Sequence, residues 1–120
     1  MKLASTIGIA LGASYSGAIS LGRIALTQIV EPAVLEATSA DLIFEGSDDG
    51  TTWHPVYTAA GARLRIEGLS TTIARAHIMP DIKDLFGYAY VRFQVVTTGS
   101  ETPVVQTAAR TFKLKARRVN

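Results

Sequence analysis

From Tyr88 to Val95 the side chains alternate: Tyr88, Tyr90, Arg92 and Gln94 share one face, and Ala89, Val91, Phe93 and Val95 share the other. A period of two is that of an extended strand with one buried face. The same rhythm sets Leu42, Phe44 and Gly46 against Asp41, Ile43 and Glu45, and sets Phe112, Leu114 and Ala116 against Thr111, Lys113, Lys115 and Arg117. Strands are therefore predicted over residues 41–46, 88–97 and 110–117, with shorter runs over 18–28, 52–57, 63–66 and 73–78. Gly, Pro, Asp and Ser punctuate these runs at intervals of about ten residues, the spacing of a sandwich or barrel. Only "PDIKDLFG" breaks the pattern: Pro80 opens it, Asp81 and Asp84 lie early, and Gly87 closes it, which predicts a helical turn or two near 80–86. Seven strands suffice for such a fold, and an eighth is available from the N-terminal arm, residues 1–16.

A chain of 120 residues forms one domain with a real core, here assigned to residues 17–120. Charged residues are only 18% of the chain against 48% hydrophobic, a shortage that fits a subunit whose surface is partly covered. The formal charge of +2 hides a split: residues 1–60 hold two bases against six acids, and residues 61–120 hold ten bases against four acids. Opposite poles on a small domain favour association with neighbours. There is no Cys, which removes disulfides, thiolate metal sites and Cys nucleophiles. The apolar run from Leu3 to Ala13 after Lys2 imitates a secretory signal, but Ser5, Thr6 and Gly8 interrupt it and it is too short to span a membrane. The competing expectation is an arm rich in small residues that orders on neighbours.

Candidate chemistry is sparse. The two histidines, His54 and His77, have no Gly-x-Ser-x-Gly elbow beside them and no thiolate to complete a metal site. The carboxylates Glu45, Asp48, Asp49 and Glu67 include a pair on a turn, where adjacent acids are ordinarily solvated. In "SDDGTTW" the residues Ser47, Asp48, Asp49 and Gly50 are those of a tight reversal, and Trp53 is expected to pack behind it. No acid follows Gly50 until Glu67, so a calcium loop does not fit. No cofactor, metal or catalytic residue is predicted, and the chain is expected not to be an enzyme. The basic residues Arg110, Lys113, Lys115, Arg117 and Arg118 read either as a solvated strand face with a frayed tail or as contacts for an acidic protein partner, whereas nucleic acid would want interleaved aromatics and finds only Phe112.

The order "LIFEGSDDGTTWHPVY", "PDIKDLFGYAYVRFQVV" and "GSETPVVQTAARTFKLKAR" resembles that of small proteins encoded among the virion genes of tailed bacteriophages. The resemblance runs from Gly17 to Arg117 and rests on Ser47, Asp49, Gly50, Trp53, Tyr90, Val91, Arg92, Pro103, Val104, Gln106, Ala109, Arg110 and Thr111. The "SDDGTTW" and "YAYVRF" elements are also similar to discoidin and galactose-binding-like jelly rolls, although the apical-loop residues that bind ligand there have no counterpart here. This implies an all-β jelly-roll sandwich of seven or eight strands. It also implies a cement or decoration protein on the capsid surface whose partner is the major capsid protein, with self-contacts between copies and no role for membrane. A neck or tail component and a carbohydrate-binding module are the alternatives. The expected contacts are Leu3, Ile7, Ile9 and Leu11 of the arm together with the basic strand, while Asp48, Asp49, Gly50, Trp53, Tyr90 and Arg92 are expected to shape the turn and core.

Overall fold

The computed structural model describes residues 6–22, 24–37 and 39–118. They form nine strands in two antiparallel sheets: β1 (Thr6–Ile9), β2 (Ile19–Ser20), β3 (Ile24–Val30), β4 (Ala40–Ser47), β5 (His54–Pro55), β6 (Arg65–Leu69), β7 (Ala76–Ile78), β8 (Tyr90–Thr97) and β9 (Arg110–Arg118). One sheet has the order β1-β9-β3-β7, and the other β2-β8-β4-β5, with β6 also on β4. β5 and β6 pair successive stretches of the same strand, Glu45–Gly46 and Ala40–Ile43, so the nine strands fill eight positions. The chain passes back and forth between the sheets in the order of a jelly roll. Among the described residues no helix is long and apolar enough to cross a membrane.

Alternation explains which face each strand buries. Phe93 and Val95 of β8, Leu42 and Phe44 of β4, and Phe112 and Leu114 of β9 all point between the sheets and are 6% exposed or less. Phe93 meets Phe44 edge-on at 6.1 Å and Phe112 at 4.9 Å, so one ring joins the two sheets. Edge-to-face rings add about 0.5–1.5 kcal/mol per pair beyond their burial. On the same face of β4 as Leu42 and Phe44, Gly46 leaves room for Tyr88: a Cβ built there would lie 2.4 Å from the ring.

The strand predicted over 18–28 is divided. Gly22 takes a φ of 53° between β2 and β3, and the chain turns there from one sheet to the other. The run at 73–78 narrows to β7, and that at 52–57 to the two residues of β5. The predicted helical segment is a 3-10 turn, Ile82–Leu85, capped by Asp81, whose side chain accepts from the Lys83 N–H.

The N-terminal arm supplies a strand to its own chain. Thr6–Ile9 pairs with Arg110–Lys113, and the side of β1 away from β9 is taken up by residues 16–17, through the bridge of Ile9 with Ser16 and the Gly17 N–H donating to Gly8 O at 3.1 Å. The long loop before β9 is organised by Gln106, which is fully buried. Its Oε1 accepts from the Glu36 N–H at 2.9 Å and from Arg110 Nε at 3.1 Å, and its backbone bonds to Gly12 and Ala13.

Candidate docking surface

Each sheet has an outer face, and the registers state what lies on it. On the five-stranded sheet β4 and β8 set Asp41 beside Val96, Ile43 beside Gln94, Glu45 beside Arg92 and Ser47 beside Tyr90. Three arginines on or beside this face are answered by acids, while Glu67 of β6 is exposed and in no ion pair among the described residues. Asp41, 1% exposed, receives Arg65 Nη1 at 2.7 Å and the N–H groups of Gly68 and Gly99 at 3.1 Å each. Burial alone would raise the pKa of Asp41, but those two amides and Arg65 outweigh it and hold the carboxyl below its ordinary value.

Glu45 holds Arg92 through Nε at 2.8 Å and Nη2 at 2.6 Å. The guanidinium carbon of Arg92 in turn lies over two rings, 4.0 Å from the centroid of Tyr15 and 4.5 Å from that of Trp53. Stacking of this kind suits Arg, whose planar cation is weakly hydrated. Arg63 pairs with Glu101 and donates Nη2 to Phe44 O at 3.2 Å, with the half-exposed Tyr57 ring beside it. Its Nε is buried without a partner.

Trp53 is thus not a core residue as expected: it is half-buried on the outer face, and Arg92 occupies its ring. Tyr90 and Arg92 also belong to this outer face, opposite Ser47 and Glu45, rather than to the core. The turn itself agrees with the sequence. Ser47 Oγ accepts from the Gly50 N–H at 2.9 Å, Gly50 has a φ of 81°, and Asp49 Oδ1 accepts from the N–H groups of Thr51 and Thr52 at 2.8 and 2.9 Å. Those two amides, with the Ser47 hydroxyl, hold the Asp49 carboxyl far below the usual carboxylate range. Asp48 is exposed beside it. Among the described residues no group of three or more His, Asp or Glu is placed to hold a metal. His54 lies on β5 and His77 on β7, in different sheets.

The outer face of the four-stranded sheet has the opposite character. Lys113, Lys115 and Arg117 of β9 stand on it in alternation with the inward Phe112 and Leu114. Successive members are about 6.5–7 Å apart along an extended strand. Their register neighbours are Thr6 and Val30 beside Lys113, Gln28 beside Lys115, Ala25 beside Arg117 and Gly8 beside Thr111. Across β3, Ile78 and Ala76 face Gln28 and Val30. None of these is acidic, and none of the ion pairs among the described residues includes Lys113, Lys115, Arg117 or Arg118.

Not every expected contact residue reaches this surface. Arg110 shares the parity of Phe112, so it turns to Gln106 instead of joining the stripe. Arg118 is exposed at the strand end, paired with Ile24 and out of phase with the other three. Ile9 is fully buried in this chain's own core and is withdrawn as a partner contact, because β1 is a sandwich strand. Ile7 is half-buried against the core, Leu11 is 67% exposed, and Leu3 lies outside the described residues.

No family model matches the chain, and no curated protein or solved structure matches it.

Proposed function

We propose that this protein is a structural component of a tailed-bacteriophage virion, a jelly-roll cement or decoration protein that docks on the outer shell through the outer face of its four-stranded sheet. The observation that carries the reading is the stripe Lys113, Lys115 and Arg117, which among the described residues has no acidic register neighbour and no ion pair, on a chain whose other sheet answers three arginines with acids. The partner is an acidic surface of the major capsid protein. Exposed ion pairs each contribute only about 0.2–1 kcal/mol. A shell that repeats its subunits presents many such contacts together, and modest attraction per copy then suffices. Low overall charge leaves apolar neighbours such as Val30 to close the contact around the cations.

The test is binding of the purified chain to emptied capsids, followed by co-sedimentation at rising salt. Wild type is expected to bind and to be released as salt screens the stripe, and a Lys113→Glu, Lys115→Glu variant is expected not to bind. Equal binding by the variant would sink the reading. The number of copies per particle separates a cement role from a neck or tail role, because a shell-wide protein is present in hundreds and a neck ring in about a dozen. In the carbohydrate-binding alternative Trp53 would offer a free ring to a sugar, and Arg92 already covers it.

A further inference from the structure

Sheet edges are where a β protein is open to another chain, and natural sandwiches guard them. Here the guarding is uneven. The free side of β1 is covered by residues 16–17. β5 carries Pro55, which has no N–H to offer, and β6 is interrupted by Gly68 at a φ of 72° and a shifted register. β7, the last strand of the four-stranded sheet, has none of these devices.

The hydrogen bonds of β7 fix which way its backbone points. The Met79 N–H donates to Thr27 O at 3.0 Å and the Glu31 N–H to Arg75 O at 2.9 Å, so residues 75, 77 and 79 spend their backbone groups on β3. By alternation the N–H and C=O groups of Ala76 and Ile78 point away from the sheet. Ile78 is also 75% exposed, the most exposed large hydrophobic side chain among the described residues. The strand is anchored from below, where the buried Glu31 carboxylate accepts from the Ser70 N–H at 2.7 Å and meets His77 Nε2 at 2.6 Å. An open edge held this firmly is a template, not a frayed end.

We infer that β7 is a self-association edge: two copies of this chain pair β7 to β7 antiparallel about a two-fold axis at His77, joining their four-stranded sheets into one. That register sets Ala76 of each copy against Ile78 of the other and satisfies every outward backbone group of the strand. A register shifted toward the C-terminal side would bring in Pro80, which cannot donate. Charge favours the same arrangement. Arg75 precedes the strand and Asp81 follows it, both exposed, so antiparallel pairing carries the cation of one copy toward the anion of the other, whereas parallel pairing sets like charges together. The occupant is therefore a second copy of this chain, in the isologous contact that closed symmetry requires. The joined sheets share a continuous outer face that carries both basic stripes, separated by β3 and β7 of each copy. The dimer does not depend on the capsid reading, because it uses the edge of the sheet and not its face.

Three paired residues make a contact at the weak end of the range, so the experiment must reach high concentration. Sedimentation equilibrium of the isolated chain, from about 10 µM to about 1 mM, is expected to report a monomer–dimer equilibrium. Ile78→Lys, at an exposed site, and Ala76→Pro, at a position whose N–H is unused within the chain, are each expected to weaken it by about tenfold or more while the far-UV spectrum is retained. In wild type the Ala76 and Ile78 amides are expected to exchange more slowly with deuterium as concentration rises. A chain that stays monomeric throughout, or a dimer that survives both variants, would overturn the inference. Neither result bears on capsid binding, which the Lys113→Glu, Lys115→Glu variant reads on a different surface.

Discussion

The two outer faces of this sandwich are made from the same secondary structure and obey opposite electrostatic rules. On the five-stranded sheet Arg65 meets Asp41, Arg92 meets Glu45 and Arg63 meets Glu101. On the four-stranded sheet Lys113, Lys115 and Arg117 meet no acid among the described residues. A charge answered within its own chain adds to the stability of the fold and offers little to a partner. A charge left unanswered contributes nothing to the fold and remains available. The difference separates the face that holds the protein together from the face that it presents.

This contrast is most severely tested where a pair is buried. Removing Asp41 by Asp41→Ala strands Arg65 and the amides of Gly68 and Gly99, and is expected to cost about 3–5 kcal/mol in urea denaturation. Acid should reproduce part of that loss in the wild type. Because the folded pKa of Asp41 lies below its ordinary 3.8, the stability it contributes is present above about pH 4 and is lost as pH falls below that value. An Asp41→Asn variant is expected to lack this limb of the stability profile. Glu31 acts in the opposite sense, since burial raises its pKa, outweighing the hydrogen bond to His77. Its contribution is largest in acid and declines as pH rises through the raised value.

A smaller effect is expected at Arg92. Arg92→Ala removes a cation stacked on Tyr15 and Trp53 and leaves Glu45 half-buried without its ion pair, at a cost of about 1–3 kcal/mol. Iodide should then quench Trp53 fluorescence more strongly than in wild type, and equal quenching would mean that Arg92 does not shield the ring. The smallest change belongs to the other face. Lys113→Glu and Lys115→Glu should each leave stability within about 0.5 kcal/mol of wild type, because neither side chain has an ion-pair partner among the described residues to lose. A large loss in either would show that the basic face is structural after all and would erase the contrast.

How much of this was legible in the sequence depended on whether a feature was local. The strands β4, β8 and β9 could be read because a period of two over eight or nine residues is a strong signal, and the Ser47–Gly50 turn because its hydrogen bonds stay within three residues. The division of residues 18–28 was missed although Gly22 marks it, because strand propensity on both sides hid the corner. Trp53 was misjudged for a different reason. Its cover is Arg92, a residue of another strand, and no local pattern states which cation will reach a ring. Arg110 could have been placed correctly, since counting by twos from Phe112 directs it inward. The buried pair of Glu31 and His77 left no signal, because its members are brought together only by the pairing of β3 with β7.

The placing of β9 between β1 and β3 has a consequence for how the protein is made. A ribosome delivers residues 6–9 long before residues 110–118, at about 5–20 residues per second. Until the late strand emerges, the early one has no neighbour on that side, and β3 lacks the strand on which its other flank rests. Ile7 and Ile9 lack that partner through most of synthesis, and of the four-stranded sheet only β3 with β7 can pair before β9 arrives. Folding should accordingly be slow for a domain of this size, as for other chains dominated by distant pairings. A nascent chain stalled before Arg110 should be caught by chaperones, and one released after Arg118 should not.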